Sequence, residues 1–326
     1  MLQIGTLRLK SNLILAPMAG VSDLPFRLLN RSFGCGLAFI EMINCRSISY
    51  KSRRTQQMLN SHPVDKPLGI QLLGCEEKFI LKAMQVLQAY KFDILDFNAA
   101  CPAKKVARRG EGSSLLKEPR KLNRLLKLVV KNSSVPVTVK IRTGWDKDSV
   151  NCRELALSAQ DAGIKGLFIH GRTKMQGYSG AVDYQAIRQV KEALDIPVIA
   201  SGDIFSPLLI RKMFDETGCD GIAIARGSLG NPWIFRQAEE FLKTGEMLEK
   251  PGIKEVAEIM AEHLKACVDF YGERIGVVKF RKFFIWYTKG VRRIRPLREK
   301  SSRLKTEEQM KGIIEDFANG IFLREA

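Results

Sequence analysis

Short apolar runs recur up to residue 227, each closed by Gly, Pro or a polar side chain. They fall at 13–16 (LILA), 37–41 (LAFIE), 68–72 (LGIQL), 94–98 (ILDFN), 137–142 (VTVKIR), 166–171 (GLFIHG), 196–203 (IPVIASGD) and 221–227 (GIAIARG). Runs that are apolar on both faces suit parallel strands covered outside by helices. Most of the intervening stretches are helix-length. In 76–90, apolar residues at 79, 80, 83, 84, 87 and 90 make a helical stripe, and 114–130, 152–163, 183–194 and 206–217 read the same way. The connection 46–66 is polar, basic and less regular, and reads as a long loop with a short helix. Residues 3–11 (QIGTLRLKS) read as a small hairpin able to close a barrel floor. Eight strands alternating with helices predict an α/β fold, a (β/α)8 TIM barrel, with a doubly wound sheet as the alternative.

After residue 243 the rhythm changes. KTGEMLEKPG is a linker, and 253–271, 276–289 and 306–317 read as helices, interrupted by Pro296 and its basic neighbours. The pattern divides the chain into a barrel over 1–243 and an all-helical C-terminal domain over 244–326.

Composition narrows the class. With 326 residues, 45% apolar and 27% charged, the chain is neither disordered nor a fibrous rod. No apolar run approaches the roughly 20 residues of a membrane span. The first residues show no apolar signal region or small-residue cleavage site, so a cytoplasmic protein is expected. Seven cysteines (35, 45, 75, 101, 152, 219, 267) are scattered and never spaced C-x-x-C. Neither a disulfide framework nor a metal site is expected.

Charge changes the picture more. Lys and Arg number 53 against 35 acids, a net +18. Between Tyr271 and Lys305 stand twelve Lys and Arg against two Glu, a local +10, interleaved with Phe280, Phe283, Phe284, Trp286 and Tyr287. Such a concentrated basic segment is the footprint of a nucleic-acid partner.

Chemistry in a (β/α)8 barrel sits at the C-terminal ends of the strands. Those ends carry 16–20 (APMAG), Glu41, Gln71, Asn98, Lys140, Arg142, His170, Arg172, Gly202, Asp203 and Arg226. The glycine-bearing turns Ser201-Gly202-Asp203 and Ala225-Arg226-Gly227 follow the last two strands, where phosphate sites commonly form. Lys140 lies within a buried strand and needs an anion or polarised oxygen there. Cys101 follows the fourth strand on a loop with Lys104, Lys105, Arg108 and Arg109, a setting that can tune a thiol toward acid–base work. No Rossmann or P-loop signature is present.

These stretches resemble the tRNA-dihydrouridine synthases, nearest their bacterial B-type branch. The resemblance is carried by APMAGVSDLPFR (16–27), GIQLLG (69–74), DFNAACPAKKV (96–106), VKIRTGW (139–145), IHGRTKMQGYSG (169–180), IASGDI (199–204), ARGSLGNPWIF (225–235) and KFRKFFIWYTKG (279–290). It implies an FMN-binding barrel, a helical tRNA-binding domain, and use of NADPH to reduce the C5=C6 bond of specific tRNA uridines. Hydride would go from reduced FMN to C6, and a proton from Cys101 to C5.

Carried over, Pro17, Met18, Ala19, Gln71 and Lys140 would hold the flavin ring. His170, Ser201, Gly202, Asp203, Ala225 and Arg226 would lie near its phosphate. Asn98 and Arg172 would face substrate or flavin. Lys279, Arg281, Lys282, Arg292 and Arg293 would hold the RNA backbone, with neighbouring aromatics free to stack on bases. The protein would act as a monomer, without metal. Ala100, Ser201 and Ala225 depart from the family's usual Gly, Asn and Gly, each keeping a small residue. A barrel reducing a free pyrimidine, as dihydroorotate dehydrogenases do, is the rival enzyme. A flavin-bound RNA chaperone is the rival of another class.

Overall fold

The computed structural model describes residues 1–50 and 52–321. A two-stranded hairpin, β1 (Gln3–Ile4) and β2 (Leu7–Arg8), precedes β3 (Leu13–Leu15), β4 (Leu37–Phe39), β5 (Ile43–Asn44) and β6 (Leu68–Leu73). β7 (Ile94–Asn98), β8 (Val137–Arg142), β9 (Gly166–His170), β10 (Val198–Ser201) and β11 (Gly221–Ile224) follow. Every pairing from β3 round through β4, β6, β7, β8, β9, β10 and β11 is parallel, and β11 pairs back onto β3. The sheet is therefore a closed eight-stranded barrel, which removes every exposed edge. The short β5, absent from the sequence expectation, continues the place of β4 along the same edge of β6.

The helices α1 (Leu24–Ser32), α2 (Cys45–Ser49), α3 (Arg53–Met58), α4 (Glu77–Leu87), α5 (Lys104–Ala107), α6 (Pro119–Lys131), α7 (Cys152–Asp161), α8 (Tyr184–Ala193), α9 (Pro207–Thr217) and α10 (Ile234–Thr244) connect the strands and flank the barrel. Local chemistry sets their ends. Asp23, Asp183 and Ser206 cap α1, α8 and α9 by accepting from Phe26, Ala186 and Leu209 N–H. Pro119 opens α6 at a position where no N–H is needed, so the expected helix over 114–130 splits into a 3-10 turn (Gly112–Lys117) and α6.

The barrel interior has two layers. Strand side chains alternate, so Val137, Val139 and Ile141 of β8 join the outer core beneath the helices, while Thr138, Lys140 and Arg142 point the other way. Low in the barrel the inward positions are apolar: Ile14, Leu37, Phe39, Ile94, Phe168, Ile199 and Ala223, sealed from below by Leu2, Ile4 and Leu9 of the hairpin region. Phe39 and Phe168 meet edge-on at 5.5 Å. Gly69 makes room for them, since a Cβ there would come within 2.3 Å of the Phe39 ring. Higher up, the inward positions turn polar, so the strands are apolar on both faces only in their lower halves.

The chain continues into α11 (Ile253–Tyr271), α12 (Glu273–Tyr287), α13 (Arg295–Ser301) and α14 (Glu307–Ala318). α13 is an unexpected helix: Pro296, expected to interrupt, sits in its first turn. Ala257, Met260, Leu264, Cys267, Val277, Phe280, Phe283, Phe284, Ile314 and Phe317 form the interior of these helices. That core runs without a break into the barrel's outer core, and Phe26 of α1 stacks on Phe283 of α12 at 5.5 Å. No helix among the described residues is long and apolar enough to cross a membrane.

Candidate active site

A cavity of about 410 Å³ opens at the C-terminal ends of the strands, above the apolar layer. Its wall combines Pro17, Met18 and Ala19 after β3 with Gln71 of β6, Asn98 of β7 and Lys140 of β8. His170 of β9, Ser201 of β10, Gly202, Asp203, Ala225 and Arg226 complete the ring, and Cys101 lies on the same wall. Eleven residues assigned to a cofactor and the assigned proton donor therefore surround one space. Arg172 does not line it.

The Cys101 loop is held from both sides. Asn98 Oδ1 accepts from the N–H groups of Ala100 (3.0 Å) and Cys101 (2.9 Å). The Cys101 carbonyl accepts from Ser113 Oγ at 2.8 Å and Ser113 N–H at 3.1 Å. Of the four cations expected on the loop around the thiol, Arg109 acts on it. Lys104, Lys105 and Arg108 are exposed on and beside α5, and Arg109 is paired with Glu111 at 3.0 Å. Arg142, reaching the Ala100 carbonyl at 2.8 Å, is the leading cation acting on the thiol. Burial outweighs it and raises the thiol above its ordinary range, so Cys101 is a protonated thiol at neutral pH.

Beneath the wall lies a buried polar ladder. Gln71 Nε2 donates to Asp96 at 2.7 Å, Thr138 Oγ1 donates to the other Asp96 oxygen at 2.7 Å, and Asn98 Nδ2 donates to Gln71 Oε1 at 2.8 Å. Burial pushes Asp96 up to about 6, against the pull of these donors and Lys140. Burial likewise brings Lys140 down to about 8, opposed by Asp96. His170 is pushed down to about 2 by burial and by Arg142, Lys140, Arg172 and Arg226, so its ring is neutral. Its Nε2 is buried without a partner among the described residues. Asp96 and Thr138 are not among the strand-end candidates of the sequence, and Arg142 is one of them without a role of its own. The signal for Asp96 was a carboxylate in the middle of an apolar strand.

A second charge cluster flanks the cavity. Asp203 has φ +50°, unusual for a side-chain-bearing residue. It is held by ion pairs to Arg172 and, at 2.9 Å, to Arg226. Arg172 is 1% exposed and also donates to the Ser179 carbonyl at 3.0 Å, so it braces the loop instead of facing the cavity. Arg226 lies between the exposed rings of Tyr178 (4.8 Å) and Phe205 (5.4 Å) at the rim.

The basic segment divides in the structure. Lys282 donates to the Gly20 carbonyl and Arg281 to the Leu304 carbonyl, tying α12 to the barrel loop and to the chain after α13. Lys279 lies over the Tyr271 ring at 4.3 Å, beside a smaller cavity of about 260 Å³ shared with Asp23 and Glu41. Arg292 and Arg293 are exposed. The expectation of stacking aromatics on α12 is corrected for four of the five: Phe280, Phe283 and Phe284 are 0% exposed and Tyr287 is buried, because helical periodicity turns them into the core, while Trp286 is half-buried. The exposed aromatics near the mouth are Tyr178 and Phe205.

Comparison with known proteins is consistent with this layout. The family model for dihydrouridine synthase (Dus) matches residues 14–322. The chain is 38% identical over 322 residues to tRNA-dihydrouridine synthase B of Pasteurella multocida, covering 99% of this chain and 97% of that one. It is 40% identical over 317 residues to tRNA-dihydrouridine synthase B of Pseudomonas aeruginosa, covering 97% and 96%. Among solved structures, histamine dehydrogenase from Rhizobium sp. 4-9 superposes with a TM-score of 0.57 at 13% identity, over 81% of this chain and 50% of that one, a likeness of fold. Matched by that family model along nearly all its length, and by full-length relatives at this identity, the chain belongs to the dihydrouridine synthase family.

Proposed function

We propose that the protein reduces the C5=C6 bond of uridines in tRNA, with FMN bound in the barrel cavity and NADPH as the reductant. In this reading residues 1–243 are the catalytic barrel and 244–326 the tRNA-binding helical domain, of which 322–326 lie outside the described residues. The protein works as a cytoplasmic monomer. The observation that carries the reading is a protonated thiol sharing one cavity wall with amide and ammonium donors, in a chain of this family.

The residues present fit a flavin with a phosphate tail. The cavity lies within the range of about 300–1,000 Å³ usual for small-molecule sites. Pro17, Met18 and Ala225 offer apolar surface, and Gln71, Lys140 and the unpartnered His170 Nε2 offer polar groups for ring edges or the tail. Arg226, with the Gly202 turn, supplies the charge and open backbone a phosphate needs. At Gly202, φ is +135° and a Cβ would meet Val182 at 2.9 Å, so only glycine suits the turn. When bound and reduced, FMN supplies a hydride for C6 of the uracil.

The chain's own residues do the rest. Cys101 Sγ gives its proton to C5, and its raised thiol affinity keeps that proton available at neutral pH. Asn98 fixes the loop that carries it. Lys140 places positive charge in a buried site where negative charge develops on reduction, and there it counts for more than in water. The target base must leave its stack to enter the cavity, and Arg292 and Arg293 hold the RNA backbone. Lys279 and Lys282 contribute from the junction of α12 with the barrel.

The test is nucleoside mass spectrometry of unmodified tRNA incubated with the protein, FMN and NADPH, with free uracil and orotate in parallel. Dihydrouridine in tRNA alone is the expected result. Reduction of a free pyrimidine instead assigns the cavity to a small-molecule reductase.

A further inference from the structure

The polar ladder beneath the cavity has one member that can settle the direction of all the others. Asp96, Gln71, Thr138 and Asn98 are 1%, 2%, 0% and 5% exposed, so each polar atom must find a partner within the fold. They sit on three neighbouring strands, with Gln71 in register with Asp96 and Asp96 in register with Thr138. The carboxylate's hydrogen-bond partners Gln71 and Thr138 are neutral, and Lys140 acts on it as a charge without forming an ion pair among the described residues. An ionised carboxylate only accepts hydrogen bonds. Gln71 must therefore turn Nε2 toward Asp96, which leaves Oε1 for Asn98 Nδ2. Asn98 in turn presents Oδ1 to the N–H groups of Ala100 and Cys101. Were the Gln71 amide reversed, its oxygen would face a carboxylate and the Asn98 NH₂ would face two N–H donors.

We propose that Asp96 is a positioning residue: its carboxylate fixes the orientation of the Gln71 and Asn98 amides and, through them, the place of the Cys101 thiol. The consequence for the reaction rests on the function proposed above; the orientation of the amides does not. Each amide has one further N–H left for the cavity, so the same carboxylate makes that wall donate to the carbonyl edges of its ligands.

The test compares full-length Asp96→Leu, Asp96→Asn and Thr138→Val with wild type by two readouts. One is the alkylation rate of Cys101 by iodoacetamide in the ligand-free protein, followed by peptide mass spectrometry across pH, so that reactivity at full ionisation is separated from the thiol's own titration. The other is kcat and KM for dihydrouridine formation in tRNA. Asp96→Leu frees both amides: alkylation rises about threefold or more and kcat falls about tenfold, with KM within about twofold. Asp96→Asn, which pairs with Gln71 in either sense because the Thr138 hydroxyl can donate or accept, falls between Leu and wild type. Thr138→Val removes one of the donors that hold Asp96 down, so it is compared at about pH 8 or above, where the carboxylate is ionised and its face toward Gln71 stays acceptor-only, and there it stays within about twofold of wild type.

A folded Asp96→Leu that matches wild type in alkylation overturns the proposal. So does Thr138→Val moving as far as Asp96→Leu, since that is the mark of a merely structural role. If Asp96→Leu does not fold, Asp96→Asn decides, and alkylation indistinguishable from wild type overturns the proposal. If wild type makes no dihydrouridine while alkylation follows the predicted order, the amide orientation stands and the proposed function fails.

Discussion

Strand β8 and helix α12 are built from similar residues and use them in opposite ways. VTVKIR and VVKFRKFFIWY both mix large apolar side chains with Lys and Arg. In β8 the two-residue period sends Val137, Val139 and Ile141 outward under the helices, and Lys140 and Arg142 into the barrel mouth. In α12 the period of 3.6 sends Val277, Phe280, Phe283, Phe284 and Tyr287 inward and leaves Lys279, Arg281 and Lys282 toward the surface. The same mixture thus yields desolvated cations at the cavity in one place and cations over an aromatic core in the other. Electrostatics follows: Lys140 is brought down to about 8 by burial, whereas Arg292 and Arg293 just beyond α12 stand in solvent.

Breaking the contrast at the barrel should have the largest effect. Cys101→Ala removes the proposed proton donor and should lower single-turnover dihydrouridine formation by about 10²–10⁴-fold, with tRNA affinity by filter binding unchanged. On the helical side the comparable disruption is of folding. Phe283→Ala leaves a cavity in a fully buried position against Phe26 and should cost about 3–5 kcal/mol in a denaturant titration.

The buried charge of β8 gives a pH signature. Lys140 carries its proton below about 8 and loses it above, so kcat/KM, which reports the free enzyme, should decline above that pH, by up to about tenfold per unit. Lys140→Arg should move the decline upward. For stability the sign is opposite. The folded-state value is depressed below the ordinary lysine value of 10.5, so the unfolded chain binds more protons between about 8 and 10.5. This residue's contribution to stability therefore grows as pH rises through that window, which urea titrations at pH 7.5 and 10 can follow against Lys140→Met.

The smallest effects belong to the exposed cations. Arg292→Gln and Arg293→Gln should each weaken tRNA binding and lower the slope of log affinity against log salt by about 0.7–0.9. Arg292→Gln should leave stability within about 0.5 kcal/mol. Arg293 has φ +59°, so Arg293→Gly should remove a strained side-chain position and raise the melting temperature slightly while weakening RNA binding in the same way.

How far the sequence could be read follows from the same periods. The eight strands were legible because each is an apolar run closed by a turn residue, and Lys140 stood out as a cation within one. Asp96 did not, because ILDFN reads as a buried strand whether its middle side chain is a structural acceptor or part of a site. Which partner a buried carboxylate finds depends on register with Gln71 and Thr138, a property of neighbouring strands remote in sequence. The aromatics of α12 were misjudged because composition shows that they are present but not which way a helix turns them. Arg172 and Lys282 were legible as cations but not as braces, since their acceptors at Asp203 and Gly20 are brought near only by the fold. The polar connection 46–66 showed one short helix where the fold has two, α2 and α3, and α13 was lost in a stretch too brief to show a period.

The central claim is a division of labour: cations and a thiol turned into the barrel act on the base, and cations beyond α12 hold the RNA. The most direct test is single-turnover dihydrouridine formation on unmodified tRNA, as a function of tRNA concentration, for Cys101→Ala beside Arg292→Gln. At saturating tRNA, Arg292→Gln should reach the wild-type rate, while Cys101→Ala stays about 10²–10⁴-fold below it at every concentration. Recovery of Cys101→Ala at high tRNA, or a rate deficit in Arg292→Gln that saturation does not remove, would contradict the account.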